Sequence, residues 1–204
     1  MRLFDVSHWS FTTCIERSCA HPTMRATMTR YRRARIGTTY FFTLVSFRRQ
    51  PILCLPPIRA ELRRALQNVR ITRPFEIDAW VLMPDHLHCI WTLPAGDVDY
   101  STRWALIKNA VSRFAGVPTI SADTTSRIKH RDAAIWQRRF HEHAIRDEQD
   151  FERHMDYIHF NPVRHGHAAN AAAWPYSTFH RYVREGLYAP DWGGTQQAQS
   201  MWVE

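Results

Sequence analysis

Two short stretches of this chain hold side chains able to do chemistry. The first is Asp85-His86-Leu87-His88. On an extended strand alternate residues face the same way, so both imidazoles project to one side, where they can bind a divalent metal. Leu87, Cys89 and Ile90 would anchor such a strand. The spacing alone is not distinctive, because twelve histidines produce such pairs readily; His141/His143 and His165/His167 are two more. What separates the first pair is its setting between apolar runs at 79–83 and 89–93. There an imidazole needs a partner to offset its lost hydration.

The second stretch is Asp156-Tyr157-Ile158-His159-Phe160-Asn161-Pro162. At about 100° per residue, Phe151, Met155 and Ile158 form the buried stripe of a helix. Tyr157 falls about 120° to one side of Phe151, with His154 and Asn161 on the same flank. Tyr157 and Asn161 are four residues apart, so they lie one above the other on a polar edge. A tyrosine in such a place most often packs its ring and leaves its hydroxyl in water.

The surrounding elements follow from periodicity. Residues 38–47 are β-branched and aromatic, a strand bounded by Gly37 and Pro51. Pro56 and Pro57 open a helix whose apolar stripe is Ile58, Leu62, Ala65, Leu66 and Val69. Residues 75–83 and 86–93 read as an antiparallel pair around a tight turn at Pro84-Asp85. A helix spans 100–114, a mobile Thr/Ser-rich loop 116–134, and a further strand 135–145. A last long helix starts at Asp147, a good N-cap, and is expected to stop before Pro162. The segment around Trp174-Pro175-Tyr176-Ser177 reads as irregular or short-helical. This order predicts one α+β domain, an antiparallel sheet with helices on one face, over 30–192. Residues 1–29 read as a disordered arm or a mis-assigned start, and 193–204 as a loose tail.

Composition narrows the partners. The 204 residues carry a net charge of +8, and of the 27 basic residues 25 are Arg. Between Arg25 and Arg73 twelve arginines face one acid, Glu61. Guanidinium groups fork onto phosphate and stack on bases, which suits nucleic acid, although a GC-rich genome also enriches Arg and Ala. Four cysteines without a CxxC pair fit neither a zinc ribbon nor a disulfide framework and read as cytosolic thiols. No apolar stretch approaches the length of a membrane span.

Taken in order, Tyr31-Arg32-Arg33, WVLMPDHLHCIWTLP, IWQRRFHEHAIRDE, DYIHFNPVRHG and WPYSTFHR resemble the HUH-type single-tyrosine transposases, and within them the REP-associated tyrosine transposases. The likeness runs over roughly residues 30 to 193. It implies a ferredoxin-like or RNA-recognition-motif-like sheet. It also implies a reaction, in which a tyrosine attacks a phosphodiester of single-stranded DNA to leave a 5′-phosphotyrosine and a free 3′-OH. Carried over by position, Tyr157 is the nucleophile, and His86, His88 and Asn161 hold the metal, Mg²⁺ or Mn²⁺. The substrates implied are palindromic repeats that fold into hairpins with a single-stranded flank. Arg32, Arg33, Arg35, Arg138 and Arg139, with the aromatic residues between 136 and 140, are then expected to hold the DNA. His141 and His143 are read as surface or DNA-facing. Asp85 and Asp156 are adjacent general-base candidates, both expected to point away from the metal. The protein is expected in the cytoplasm at the nucleoid, as a monomer or homodimer. Two competing readings are a non-catalytic DNA-binding regulator and a metal-dependent phosphohydrolase that uses water.

Overall fold

The computed structural model describes residues 37–114 and 135–194. The N-terminal arm, the 116–134 loop, most of the tail, and Arg32, Arg33 and Arg35 lie outside the described residues. Strand β1 (Thr39–Val45) and the hairpin of β2 (Glu76–Leu82) and β3 (His86–Thr92) form where branched and aromatic residues cluster. Helix α1 (Pro56–Thr72) places its prolines in the first turn, where no N–H is needed, and buries Ile58, Leu62, Ala65 and Val69. Helix α2 spans Tyr100–Phe114, and β4 is the short strand His141–Ala144. Helix α3 (Glu148–Arg164) is capped by Asp147, whose carboxylate accepts from the Asp150 N–H at 2.7 Å. Helix α4 (Phe179–Arg184) closes the order.

The sheet runs β2-β3-β1-β4, antiparallel throughout. With the chain order β1-α1-β2-β3-α2-β4, this is the ferredoxin-like arrangement. Helices α1 and α2 cover one face, where Phe42, Leu87 and Trp91 join Leu62, Trp104 and Ile107 in one core. The rings of Trp91 and Trp104 stack at 3.9 Å between centroids.

The expectation of helices on one face does not hold. Helix α3 lies on the opposite face, where Phe151, Met155 and Ile158 share a second core with Phe41, Val81, Ile90 and Phe179. The reason is legible in β3: all seven of its residues are buried, so both sides of that strand need cover.

Three further expectations are corrected. Pro162 does not stop α3, because in the last turn it forfeits a single N–H bond. The helix closes instead after Arg164, with Gly166 just beyond it in the left-handed conformation at φ 70°. Gly166 N donates to the Val163 carbonyl and His167 N to the Pro162 carbonyl, a Schellman closure. The strand read over 135–145 is limited to His141–Ala144, with a single bridge from Trp136 to Ser46 before it. Trp136 is buried and Phe140 packs on the first core, so neither ring is presented for base stacking; Arg138 and Arg139 are exposed. The segment after Trp174, read as irregular or short-helical, does form the short helix Phe179–Arg184 and also pairs with the sheet. Leu82 N donates to the Tyr176 carbonyl and Thr178 N to the Trp80 carbonyl, which covers the β2 edge.

Candidate active site

The turn that aims the imidazoles is pinned from outside. Met83 N donates to the His86 carbonyl across Pro84-Asp85, while the carbonyls of Pro84 and Asp85 accept from Leu53 N and Ser46 N. His86 and His88 then leave β3 on the α3 side, 4.9 Å apart between ring centroids, and both are buried. The register sets Thr43 opposite His88, and its hydroxyl lies 2.8 Å from His88 Nδ1. From α3, Tyr157 reaches the same place: its ring is 5.0 Å from that of His88 and edge-on to Phe41 at 6.0 Å. Asn161, fully buried, sets Oδ1 3.1 Å from His86 Nε2. All four residues singled out in the sequence therefore converge, from a strand and a helix on one face of the sheet.

Protonation follows from the partners. Asp85 Oδ1 lies 2.6 Å from His86 Nδ1, and Arg49 holds the other carboxylate oxygen at 3.0 Å. Burial raises the Asp85 carboxyl, but His86 and Arg49 outweigh it and hold the group below its ordinary range. The carboxylate is thus an acceptor, so Nδ1 of His86 carries a proton and Nε2 is the ring atom turned to Asn161. It faces the acceptor Asn161 Oδ1 at 3.1 Å, while Asn161 Nδ2 is buried with no hydrogen-bond partner. Rotating the amide would let Nδ2 donate to His86 Nε2 and leave Oδ1 as the buried atom without a partner. A divalent cation held by His86 Nε2 and Asn161 Oδ1 would use a lone pair of each. Two adjacent ligands of an octahedral cation with bonds near 2.1 Å stand about 3.0 Å apart, so the residues present fit Mg²⁺ or Mn²⁺. His88 is also suited, since burial, aided by the charges of His86, His165 and Arg164, pushes its pKa well below the ordinary value and keeps it neutral.

Neither candidate base faces the tyrosine. Asp85 is engaged by His86 and Arg49, and Asp156 accepts from the Tyr188 hydroxyl at 2.5 Å, its carboxyl raised by burial. The sequence reading missed the neighbours. His165 lies 5.2 Å from His86 between ring centroids, and the Arg164 guanidinium 5.6 Å from the centre of the Tyr157 ring. Both follow from spacing, because Arg164 is seven residues beyond Tyr157 and returns to the same helix face.

A second cluster lies beside the first. His143, Asp150 and His154 bring ligand-type atoms within 4.8 Å of one another and could hold a metal ion. Their present bonds describe an anchor between β4 and α3. Asp150 Oδ2 takes His143 Nε2 at 2.8 Å together with the Arg146 N–H and guanidinium. Burial raises the Asp150 carboxyl, yet these donors hold it far below its usual range. His143 is accordingly half-buried rather than surface-facing, whereas His141 is exposed.

A protein of Escherichia coli (strain K12), the REP-associated tyrosine transposase, is 46% identical to this chain over 168 residues, 82% of this chain and 92% of that protein. This chain belongs to the REP-associated tyrosine transposases. A relative in Haemophilus influenzae (strain ATCC 51907 / DSM 11121 / KW20 / Rd), given the same designation provisionally, is 41% identical over 158 residues, 78% of this chain and 89% of its own length. The solved structure of a REP-associated tyrosine transposase bound to a REP hairpin matches with a TM-score of 0.66 and 46% identity, covering 82% of this chain and 92% of that one. No protein-family model matches the chain. As a REP-associated tyrosine transposase the chain is an enzyme of DNA transposition, and its α+β sheet is that of its relatives. No helix among the described residues is long and apolar enough to cross a membrane.

Proposed function

We propose that Tyr157 is the nucleophile of a single-strand DNA transposase and that His86, His88 and Asn161 hold its divalent ion, Mg²⁺ or Mn²⁺. The observation that carries this reading is the convergence of Tyr157 on His88 next to the facing His86 Nε2 and Asn161 Oδ1. The phenol oxygen attacks a backbone phosphorus and the 3′-oxygen departs with a proton. The 5′ end stays on Tyr157 as a phosphodiester, and a later attack by a 3′-OH rejoins the strand and frees the phenol. A bound ion would polarise the phosphate and spread its charge, which a phenol of ordinary pKa near 10 requires at neutral pH. Phe41 and His88 pack against the ring of Tyr157 and fix the direction of attack.

The substrate is a REP-type hairpin, the DNA to which the solved relative is bound, carrying a single-stranded flank in the proposed reaction. Arg138 and Arg139 are exposed at the end of the sheet that carries β4, and with Arg32, Arg33 and Arg35 they supply phosphate contacts. The enzyme would work at the nucleoid in the cytoplasm, as a monomer or homodimer, with residues 30–192 as its catalytic domain.

The test is a denaturing gel with a flanked hairpin labelled at its 3′ end. The expected result is a labelled protein–DNA adduct that needs Mg²⁺ or Mn²⁺ and that protease digestion collapses. Binding without cleavage would replace this reading with a regulator, and cleavage without an adduct with a phosphohydrolase.

A further inference from the structure

Arg48 and Arg49 are the two non-glycine residues with positive φ among the described residues, at 53° and 52°. Side chains rarely adopt this conformation, and two in succession make a strained turn that glycine or asparagine would form more cheaply. The turn is firmly built. Ser46 Oγ donates to the Gln50 carbonyl at 2.7 Å, Arg49 N to the Ser46 carbonyl, and Ser46 N to the carbonyl of Asp85 itself. Its effect is to carry the Arg49 guanidinium to Asp85 Oδ2 at 3.0 Å while Asp85 Oδ1 takes His86 Nδ1 at 2.6 Å. The Arg49 side chain is 65% exposed, and an ion pair so open to water adds little to stability. Strain kept for a pair that does not stabilise points to orientation.

We propose that Arg49 is a positioning residue of the transposase site, acting through Asp85 on His86. With one oxygen on Arg49, the carboxylate cannot swing, and its other oxygen stays on the Nδ1 proton of His86. The ring is thereby locked in the tautomer that presents Nε2 toward Asn161. The proposal rests on the reading of His86 and His88 as metal ligands.

The test uses the full chain without DNA, with Mn²⁺ as the probe, followed by the electron-spin signal of the free ion and by thermal melting. His88→Ala defines the part of Mn²⁺ binding that belongs to this site. Arg49→Gln keeps the strain and removes the charge; Arg49→Gly removes both. Each is expected to raise the Mn²⁺ dissociation constant at this site about three- to tenfold. The melting temperature of Arg49→Gly should not fall. Arg49→Lys should recover most of the affinity, and Arg48→Gly, which relieves strain without touching Asp85, should bind Mn²⁺ as the wild type does. Wild-type affinity in both Arg49→Gln and Arg49→Gly would overturn the proposal, as would weaker binding accompanied by a lower melting temperature in Arg49→Gly. Mn²⁺ binding unaffected by His88→Ala would instead overturn the ligand reading itself, and the proposal with it.

Discussion

On one side of β3, Leu87, Cys89 and Trp91 share a core with Leu62, Trp104 and Ile107. On the other, His86 and His88 of the same strand lie against Asn161 and Tyr157, with Ile90 packed in a core that includes Met155. The first side removes carbon from water at about 25 cal/mol per Å² and asks little else of its residues. The second must give each imidazole a polar partner, and Thr43 supplies one for His88 and Asp85 one for His86. One strand thus divides its work by parity. The face under α1 and α2 is core, the face under α3 carries a second core beside the proposed site, and the division can be probed from either side.

The largest effect is expected on the chemical side. Tyr157→Phe removes a single half-buried oxygen, so the melting temperature should stay within about 2 °C while adduct formation falls by at least about a thousandfold. A covalent species at the wild-type level would move the nucleophile elsewhere, with Tyr176 next to be tested.

The mirror experiment is Trp104→Ala on the packing side. Urea denaturation should show a loss of about 3–5 kcal/mol, and cleavage per folded molecule should be unchanged. A parallel loss of specific activity would mean that the two sides are coupled.

Asn161→Ala should fall between them, with metal-dependent cleavage lowered about a hundredfold and a small change in melting temperature. Chelator should do the same to the wild type, and full activity in excess chelator would remove the metal from the scheme.

The smallest effect concerns the C-terminal segment, where the Tyr182 hydroxyl donates to the Asp78 carbonyl at 2.5 Å. Burial raises this phenol from 10.0 to about 12, against the lowering influence of Arg181. The unfolded chain loses that proton first, so the contribution is complete below about pH 10 and is lost as pH rises through about 12. Tyr182→Phe should cost about 1 kcal/mol at neutral pH and flatten this alkaline slope. An unchanged slope would assign it to other groups.

Periodicity made much of this legible. The hairpin around Pro84-Asp85 and the stripe Phe151-Met155-Ile158 follow from local spacing, and both formed as read. The meeting of His86 with Asn161, 75 residues apart, is a tertiary event that no local pattern encodes; the ordered motifs of the family supplied it. Where single residues were read by type the result was poorer. Trp136 and Phe140 looked like base-stacking rings because aromatic residues beside arginines serve both cores and nucleic acid, and burial alone decides between them. Pro162 looked like a stop because the rule for helix interiors weakens in the last turn. Thr43 and Arg49 gave no signal, since each matters only through a partner on another segment.

The buried condition of every residue in β3 also bears on how such a gene can change. Substitution at one site disturbs one side of the sheet. Loss or gain of a single codon between Pro84 and His86 would exchange the two sides at once, turning both imidazoles into the tryptophan layer and setting Leu87 and Trp91 before Tyr157. Along this strand, homologous enzymes should vary in letters but never in length, and length variation should collect in the loops.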